Sequence, residues 1–153
     1  MIAEATIDRT LDRLENAGDD YEVQIQDFAD DQPELMDYLT NEDAEAFTET
    51  ERELLLFAAL VVYQSIDDER SGLRTATGDQ IATAEERNYA VLSAARGGSL
   101  RDRLTPFFEQ SGEEELLAFI EDLTLSEDEE SSISNEAREP FFVTLKTVMD
   151  VLI

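Results

Sequence analysis

Three residue types are missing from this sequence: cysteine, histidine and tryptophan. Without cysteine the chain has no disulfides and no thiolate metal ligands, and without histidine it has no imidazole base or metal ligand. Chemistry is left to carboxylates, hydroxyl groups, arginine and a single lysine, Lys146. The sequence therefore predicts no cofactor, no metal site and no catalytic residue.

Long hydrophobic runs are also scarce. Leu54 to Tyr63 reads LLLFAALVVY, ten residues without a charge in a chain of which 32% is charged. A bilayer requires about 20 such residues, whereas a shorter helix that is apolar all round belongs in the centre of a globular fold. Because Thr48 and Glu51 match a capping box, the sequence predicts a central hydrophobic helix at about residues 50–66 and no membrane association. The side chains expected to be mostly buried are Leu54, Leu55, Leu56, Phe57, Leu60, Val61 and Tyr63.

Basic residues are few, with 38 acidic against 11 basic residues and a net charge of −27. Repulsion at this density destabilises a compact state unless salt screens it, and the screening length falls from about 10 Å at 0.1 M salt to about 3 Å at 1 M. An acidic, lysine-poor chain with an ordinary 42% of hydrophobic residues resembles the proteins of organisms that keep molar salt in the cytoplasm. We therefore expect a halophile's protein that requires high salt. The charge argues against direct nucleic-acid binding, while mimicry of a nucleic acid stays an alternative.

The first residues bear on the compartment. The acidic residue Glu4 lies close to Met1, and no apolar run follows it. A secretory signal would contain such a run. The absence of cysteine fits a reducing compartment. We expect a cytoplasmic protein.

The remaining apolar residues recur mostly at helical spacing. The first such pattern ends at Gly18, a typical helix stop. Residues 21–28 fit either a strand or a helix, and because no second strand can pair with them we interpret them as helix. The sequence predicts an all-α fold, a single compact domain of six to seven helices covering residues 1–153. Mobile acidic loops are expected near 67–76 and 126–134.

Prolines and caps divide the chain into helices. Pro33, Pro106 and Pro140 each precede an apolar run, and proline is favoured at the first helical position, so we expect a helix to begin at each. Thr77 begins a second capping box that opens a helix reaching about residue 96. Asn88 falls within the apolar side of that helix, where we expect a hydrogen-bonded amide.

Carboxylates allow one enzymatic hypothesis. Glu42 and Glu45 have the Glu-x-x-Glu spacing of Mg²⁺ sites, and Glu49, Glu53 and Glu69 flank the central helix. The pattern is loosely similar to that of the all-α nucleotide pyrophosphatases, which would imply a Mg²⁺-dependent phosphohydrolase acting on nucleotides. Such pairs also arise by chance among 38 acidic residues. We keep as the alternative either this function or another protein that binds a phosphate-containing ligand.

Positive charge is concentrated at one place, a glycine-containing turn before a predicted helix. Glycines ahead of a helix leave backbone N–H groups free, and arginine suits phosphate or carboxylate. The predicted anion-binding residues are Arg96, Gly98, Ser99, Arg101 and Arg103. The competing interpretation is a glycine stop, a serine cap and arginines paired with surrounding acids.

The C-terminal helix carries apolar residues over a wide arc. Phe142, Val143 and Val151 extend this arc beyond a one-sided stripe, so we predict an interaction surface there, for a homodimer or for an unknown protein partner. The leading hypothesis for function follows from it: the protein acts through protein–protein contacts, as an adaptor or regulatory module, and not through catalysis.

Overall fold

The computed structural model describes residues 1–40, 47–126 and 133–153. Within these residues the chain is all-α, as predicted, with eight helices where six or seven were expected. The helices are α1 (Glu4–Glu15), α2 (Asp20–Asp31), α3 (Pro33–Leu39), α4 (Glu49–Glu69), α5 (Gly78–Ala94), α6 (Leu100–Gln110), α7 (Glu114–Leu125) and α8 (Asn135–Leu152). One division lies at Gln32, whose backbone is not helical (φ −133°, ψ 64°) and which precedes Pro33.

The predicted central helix, α4, is confirmed. The hydroxyl oxygen of Thr48 accepts the N–H of Glu51 at 3.2 Å, and the Glu51 carboxylate accepts the N–H of Thr48 at 2.8 Å, which completes the capping box. Every residue from Ala58 to Tyr63 is buried. Helices α1 and α8 pack against α4. No helix within the described residues is long and apolar enough to cross a membrane.

Burial of the hydrophobic run is less complete at its start. Leu55, Leu60, Val61 and Tyr63 are buried as predicted. Partial exposure remains at Leu54, Leu56 and Phe57, which pack at the edge of the core. The first turns of α4 are therefore covered on fewer sides than the middle of the helix.

The end of α4 is a correction, since the helix continues to Glu69 and not to about residue 66. The Glu69 carboxylate accepts the backbone N–H of Ala3 at 2.7 Å, and Asp68 forms an ion pair with Arg9 at 3.6 Å. These contacts with α1 and the residue before it compensate acidic side chains that by themselves favour solvent. The loop predicted at 67–76 is therefore shorter than expected, and of the loop predicted at 126–134 residues 127–132 lie outside the described part.

The three prolines do not all begin helices. Pro33 opens α3 as predicted, but Pro106 and Pro140 lie inside α6 and α8. Those two helices begin earlier, after Ser99 and Ser134. Each internal proline removes one backbone hydrogen bond, and the packing of both helices into the core outweighs that loss.

Helix α8 is the second buried element of the fold. All residues from Phe141 to Met149 are buried, and α4, α5 and α7 pack around the helix. The wide apolar arc read from the sequence is thus covered from several sides by the chain's own helices.

Candidate binding cleft between α5 and α8

The predicted C-terminal surface is wrong at two of its three positions. Phe142 and Val143 are 0% exposed, and the ring of Phe142 lies edge-on to that of Phe107 with 5.0 Å between centroids. Val151 keeps partial exposure, and Ile153 next to the end of α8 is exposed. Phe142 and Phe107 are part of the hydrophobic core, and no partner is required to cover them.

The arginines of the predicted anion site differ in their surroundings. Arg103 is ion-paired with Glu139 on α8. Arg101 is exposed, and its charge acts on Glu121 of α7, where burial raises the pKa of the carboxyl and the guanidinium opposes that rise. Arg96 is exposed in the turn between α5 and α6. The fold thus engages Arg103 in a structural contact and leaves the other two at the surface.

The turn itself has a packing explanation. The Ser99 hydroxyl accepts the N–H of Asp102 at 3.2 Å and caps α6. A Cβ at Gly97 would lie 2.5 Å from the Cβ of Asp102, so glycine permits this close approach. Gly98 has open space around it. The anion site at this turn stays a prediction, with an acidic side chain packed beside it.

A different cleft combines apolar walls with polar and charged side chains. It has a volume of about 410 Å³ and lies between α5, α8 and the segment that joins α6 to α7. Its walls mix apolar residues (Val91, Phe107, Met149) with charged ones. The full lining consists of Arg87, Asn88, Val91, Phe107, Gln110, Ser111, Gly112, Glu113, Lys146, Met149, Asp150 and Ile153.

The lysine of this cleft is the only lysine in the chain. Lys146 is 9% exposed, and its Nζ donates to Oδ1 of Asp150 at 2.5 Å. The same Nζ lies 6.0 Å from the centroid of the Phe107 ring, within reach of a cation–π interaction. Among the described residues, Asp150 is the single hydrogen-bond acceptor of this ammonium, which has three N–H donors.

Each carboxylate of the cleft is already paired with a cationic side chain. Oδ2 of Asp150 accepts the amide of Asn88 at 3.0 Å, while its Oδ1 receives Lys146. One oxygen of Glu113 accepts the backbone N–H of Ile2 at 2.8 Å, and the other accepts the Arg70 guanidinium at 3.4 Å. The charge of each of these two acidic groups is therefore compensated within the protein.

Two cationic side chains of the cleft still have N–H groups without a partner in the described part of the chain. Two N–H groups of Lys146 are unused within the described residues. Arg87 is an exposed residue of the lining, and in the described part of the chain its guanidinium forms no ion pair or hydrogen bond. Both groups are cationic, so the cleft is matched to an anion that offers oxygen acceptors.

Hydrogen bonds between polar side chains support the walls of the cleft. The Nδ2 of Asn88 also donates to Oγ1 of Thr147 at 3.2 Å, which confirms the predicted hydrogen-bonded amide. Tyr38 of α3 donates to the Glu85 carboxylate at 2.5 Å. Burial, reinforced by Glu85, raises the pKa of the Tyr38 hydroxyl. These bonds tie α3, α5 and α8 together and fix the position of Asp150.

This site was not predicted from the sequence, although two signals for it were present. A lone lysine stands out in a chain with 38 acidic residues, and Lys146 and Asp150 are four residues apart, the spacing of a pair on one helix face. The sequence does not show which residues of other helices lie next to that face. Asn88 lies 62 residues before Asp150.

Metal ligation finds no further support in the described ranges. They contain no group of three acidic side chains placed to hold a metal ion. Glu42 and Glu45 lie outside the described residues, Glu53 is exposed, and Glu69 is engaged with Ala3. The phosphohydrolase alternative therefore rests on the spacing of the carboxylates alone.

Comparison with known proteins adds no assignment: the chain shows no significant match to a protein-family model, to a curated protein or to a solved structure. A functional proposal therefore has to be argued from the chemistry of the cleft. The relevant features are the buried lysine, the carboxylates that are already ion-paired and the exposed arginine.

Proposed function

We propose that the protein is a binding protein that takes a small organic anion in the cleft between α5 and α8. The observation that carries the proposal is Lys146, a buried ammonium that lines a cavity and has one protein acceptor for three donors. A carboxylate or phosphate group of the ligand accepts the remaining N–H groups of Lys146 together with those of Arg87. The apolar part of the ligand contacts Phe107, Val91 and Met149.

The cost of burying lysine supports this proposal. Removal of an ammonium from water costs several kcal/mol, and a single ion pair commonly fails to compensate that cost, whereas a hydrophobic side chain of similar size fills such a site at no comparable cost. Ten of the eleven basic residues are arginine. The position of the chain's single lysine in a cavity is best explained by a contact with a ligand.

The hypothesis of a protein–protein interaction module stays a prediction. Large exposed apolar side chains in the described part of the chain are Met1, Val23, Tyr89 and Ile153. Val23 and Tyr89 stand on different helices, α2 and α5. An anion-bound form could still present a surface to a partner, but the cleft is the feature whose chemistry is specific.

Anion titration tests the proposal directly. Isothermal titration of the wild-type protein with potassium butyrate and with inorganic phosphate, at one fixed molar KCl concentration, should give a Kd of about 1 mM for at least one anion. The double variant Lys146→Met/Asp150→Asn removes both charges of the ion pair while keeping an acceptor for Asn88. It should weaken binding by about tenfold or more, since a charge-assisted hydrogen bond contributes about 1.5–3 kcal/mol.

Two further variants separate the cleft from general charge effects. Arg87→Gln should also weaken binding. Arg74→Gln removes the same charge from an exposed arginine outside the cleft and should leave the affinity unchanged. The proposal is wrong if the wild-type protein binds neither anion at anion concentrations several times the expected Kd. It is also wrong if Arg87→Gln and the double variant both bind as the wild type does.

A further inference from the structure

An apolar groove continues from the cleft along α5. It has a volume of about 460 Å³ and shares Arg87, Val91 and Gln110 with the cleft. The remaining lining comes from the other end of α5 and from α6, namely Ala90, Ala94, Ala95 and Pro106. The two cavities thus adjoin at Arg87, next to the donors of the proposed anion site.

The groove arises because α5 has two apolar faces. One face is buried and contains Ile81, Ala84, Asn88 and Leu92. The second face, at Ala90, Val91, Ala94 and Ala95, lies beside α6 and is only partly covered or exposed. Because alanine occupies three of these four positions, the space between α5 and α6 is left open where larger side chains would fill it.

We infer that the ligand is amphiphilic, an anionic head group bound by Lys146 and Arg87 with an aliphatic chain that lies in the groove between α5 and α6. The inference rests on the proposed function and names the class of its ligand. From Arg87 to Ala95 the backbone rises about 12 Å, a distance that an extended alkyl chain of about ten carbons spans. The best match is therefore a medium-chain carboxylate or the alkyl phosphate of the same length.

The groove also sets how affinity should depend on chain length. Full burial of a methylene group increases affinity about fourfold, equivalent to about 0.8 kcal/mol. The groove is open on one side, since Ala90 and Ala94 are exposed, so each methylene should be about half buried and contribute about twofold. The gain should stop once the chain passes the end of the groove near Ala95.

The test is a chain-length series on the wild-type protein. Butyrate, hexanoate, octanoate and decanoate are titrated by calorimetry at one KCl concentration, below the concentrations at which they form micelles. The Kd should fall by about twofold for each methylene. Octyl phosphate distinguishes a phosphate from a carboxylate head group, and octanol, which has no charge, should bind about tenfold more weakly than octanoate or worse.

Two alanine variants on α5 locate the chain. Ala94→Gln fills the groove with a residue that favours helix, and it should weaken decanoate binding while leaving butyrate binding unchanged. Ala82→Gln is the matched control, because Ala82 is exposed on the same helix and lines neither cavity. Circular dichroism melts of both variants establish that they fold equally well.

The outcomes separate the two levels of the argument. If butyrate binds and the affinity does not rise from butyrate to decanoate, or if Ala94→Gln binds decanoate as tightly as Ala82→Gln does, the inference about the groove is overturned and the anion site stands. If no anion of the series binds, both fail. Octanol binding as tight as octanoate binding would overturn the assignment of the head group to Lys146 and Arg87.

Discussion

Replacement of Glu51 by glutamine tests whether one buried carboxylate joins the starts of the two central helices. Glu51 is 4% exposed. Its Oε1 accepts the N–H of Thr48 at 2.8 Å, at the start of α4, and its Oε2 accepts the N–H of Ser134 at 2.7 Å, just before α8. Both donors belong to helix N-termini, where backbone N–H groups have no partner within the helix. The carboxylate therefore serves two caps at once.

The expected loss can be estimated from these two bonds. Glutamine has one acceptor oxygen, so Glu51→Gln keeps at most one of the two bonds and turns a donor group toward the other N–H. The lost charge-assisted bond contributes about 1.5–3 kcal/mol, and the retained bond becomes weaker because its acceptor is neutral. We expect the free energy of unfolding to fall by about 2–4 kcal/mol. Glu53→Gln, at an exposed position of the same helix, should change it by about 0.5 kcal/mol or less.

The pH dependence provides an independent check. Burial tends to raise the pKa of the Glu51 carboxyl, but the N–H groups of Thr48 and Ser134 together hold it below its usual value of 4.5. A carboxyl with a lower pKa in the folded state stabilises the fold above its unfolded pKa, and that stabilisation is lost as the pH falls through the folded pKa. The difference between wild type and Glu51→Gln should therefore be full at neutral pH and shrink below about pH 4.

The assay is urea denaturation followed by circular dichroism, in molar KCl and from about pH 7 to about pH 3. Low protein concentrations are needed because the sequence pI is 4.1. Equal stability of the Glu51→Gln and Glu53→Gln variants at neutral pH would refute the idea that this carboxylate joins α4 and α8. A stability gap of constant size down to pH 3 would show that the effect comes from packing and not from the charge.

Four further predictions concern the core and the surface charge. Leu60→Ala, at a fully buried position, should lower the free energy of unfolding by about 2–5 kcal/mol. Leu56→Ala should lower it by less because that side chain is partly exposed. Similar losses of unfolding free energy for the two variants in urea titrations would contradict the burial pattern. Phe142→Asp should unfold the protein rather than yield a soluble, folded monomer, which sedimentation and circular dichroism distinguish. Thermal stability should rise between about 0.1 and 1 M KCl, and equal melting temperatures would show that the acidity is no salt adaptation. Because the pKa of Tyr38 is raised above its usual value of 10.0, stability should decline as the pH rises above that value, and Tyr38→Phe should make the decline shallower in urea titrations at alkaline pH.

Much of the helical architecture could be predicted because its signals are local. The capping boxes at Thr48 and Thr77 and the cap at Ser99 each involve a partner three residues further on. Proline was a weaker signal, since Pro106 and Pro140 proved compatible with helix interiors. Proline is favoured at the first helical position, but tertiary packing can compensate the one hydrogen bond that it removes elsewhere.

The candidate site illustrates the opposite case. The arginine-rich turn at residues 96–103 was predicted to bind an anion because its charges are close in sequence. In the structure Arg103 is ion-paired with Glu139, 36 residues further on. Lys146 was marked in the sequence only by being the single lysine and by its spacing of four residues from Asp150. Its significance depends on the side chains of other helices that surround it.

The sequence by itself determined that the protein is helical, that α4 is buried, and that the surface is strongly acidic, because helix caps, apolar runs and net charge are properties of neighbouring residues or of composition. Only the tertiary structure decided which helix covers which face. Hydrophobic burial has no direction, so the apolar arc around Phe142 is equally compatible with a dimer surface and with an internal seam. Asn88 meets Thr147 and Asp150 across 59 and 62 residues of sequence, and the cavity beside Lys146 exists only once α5, α6 and α8 have packed together.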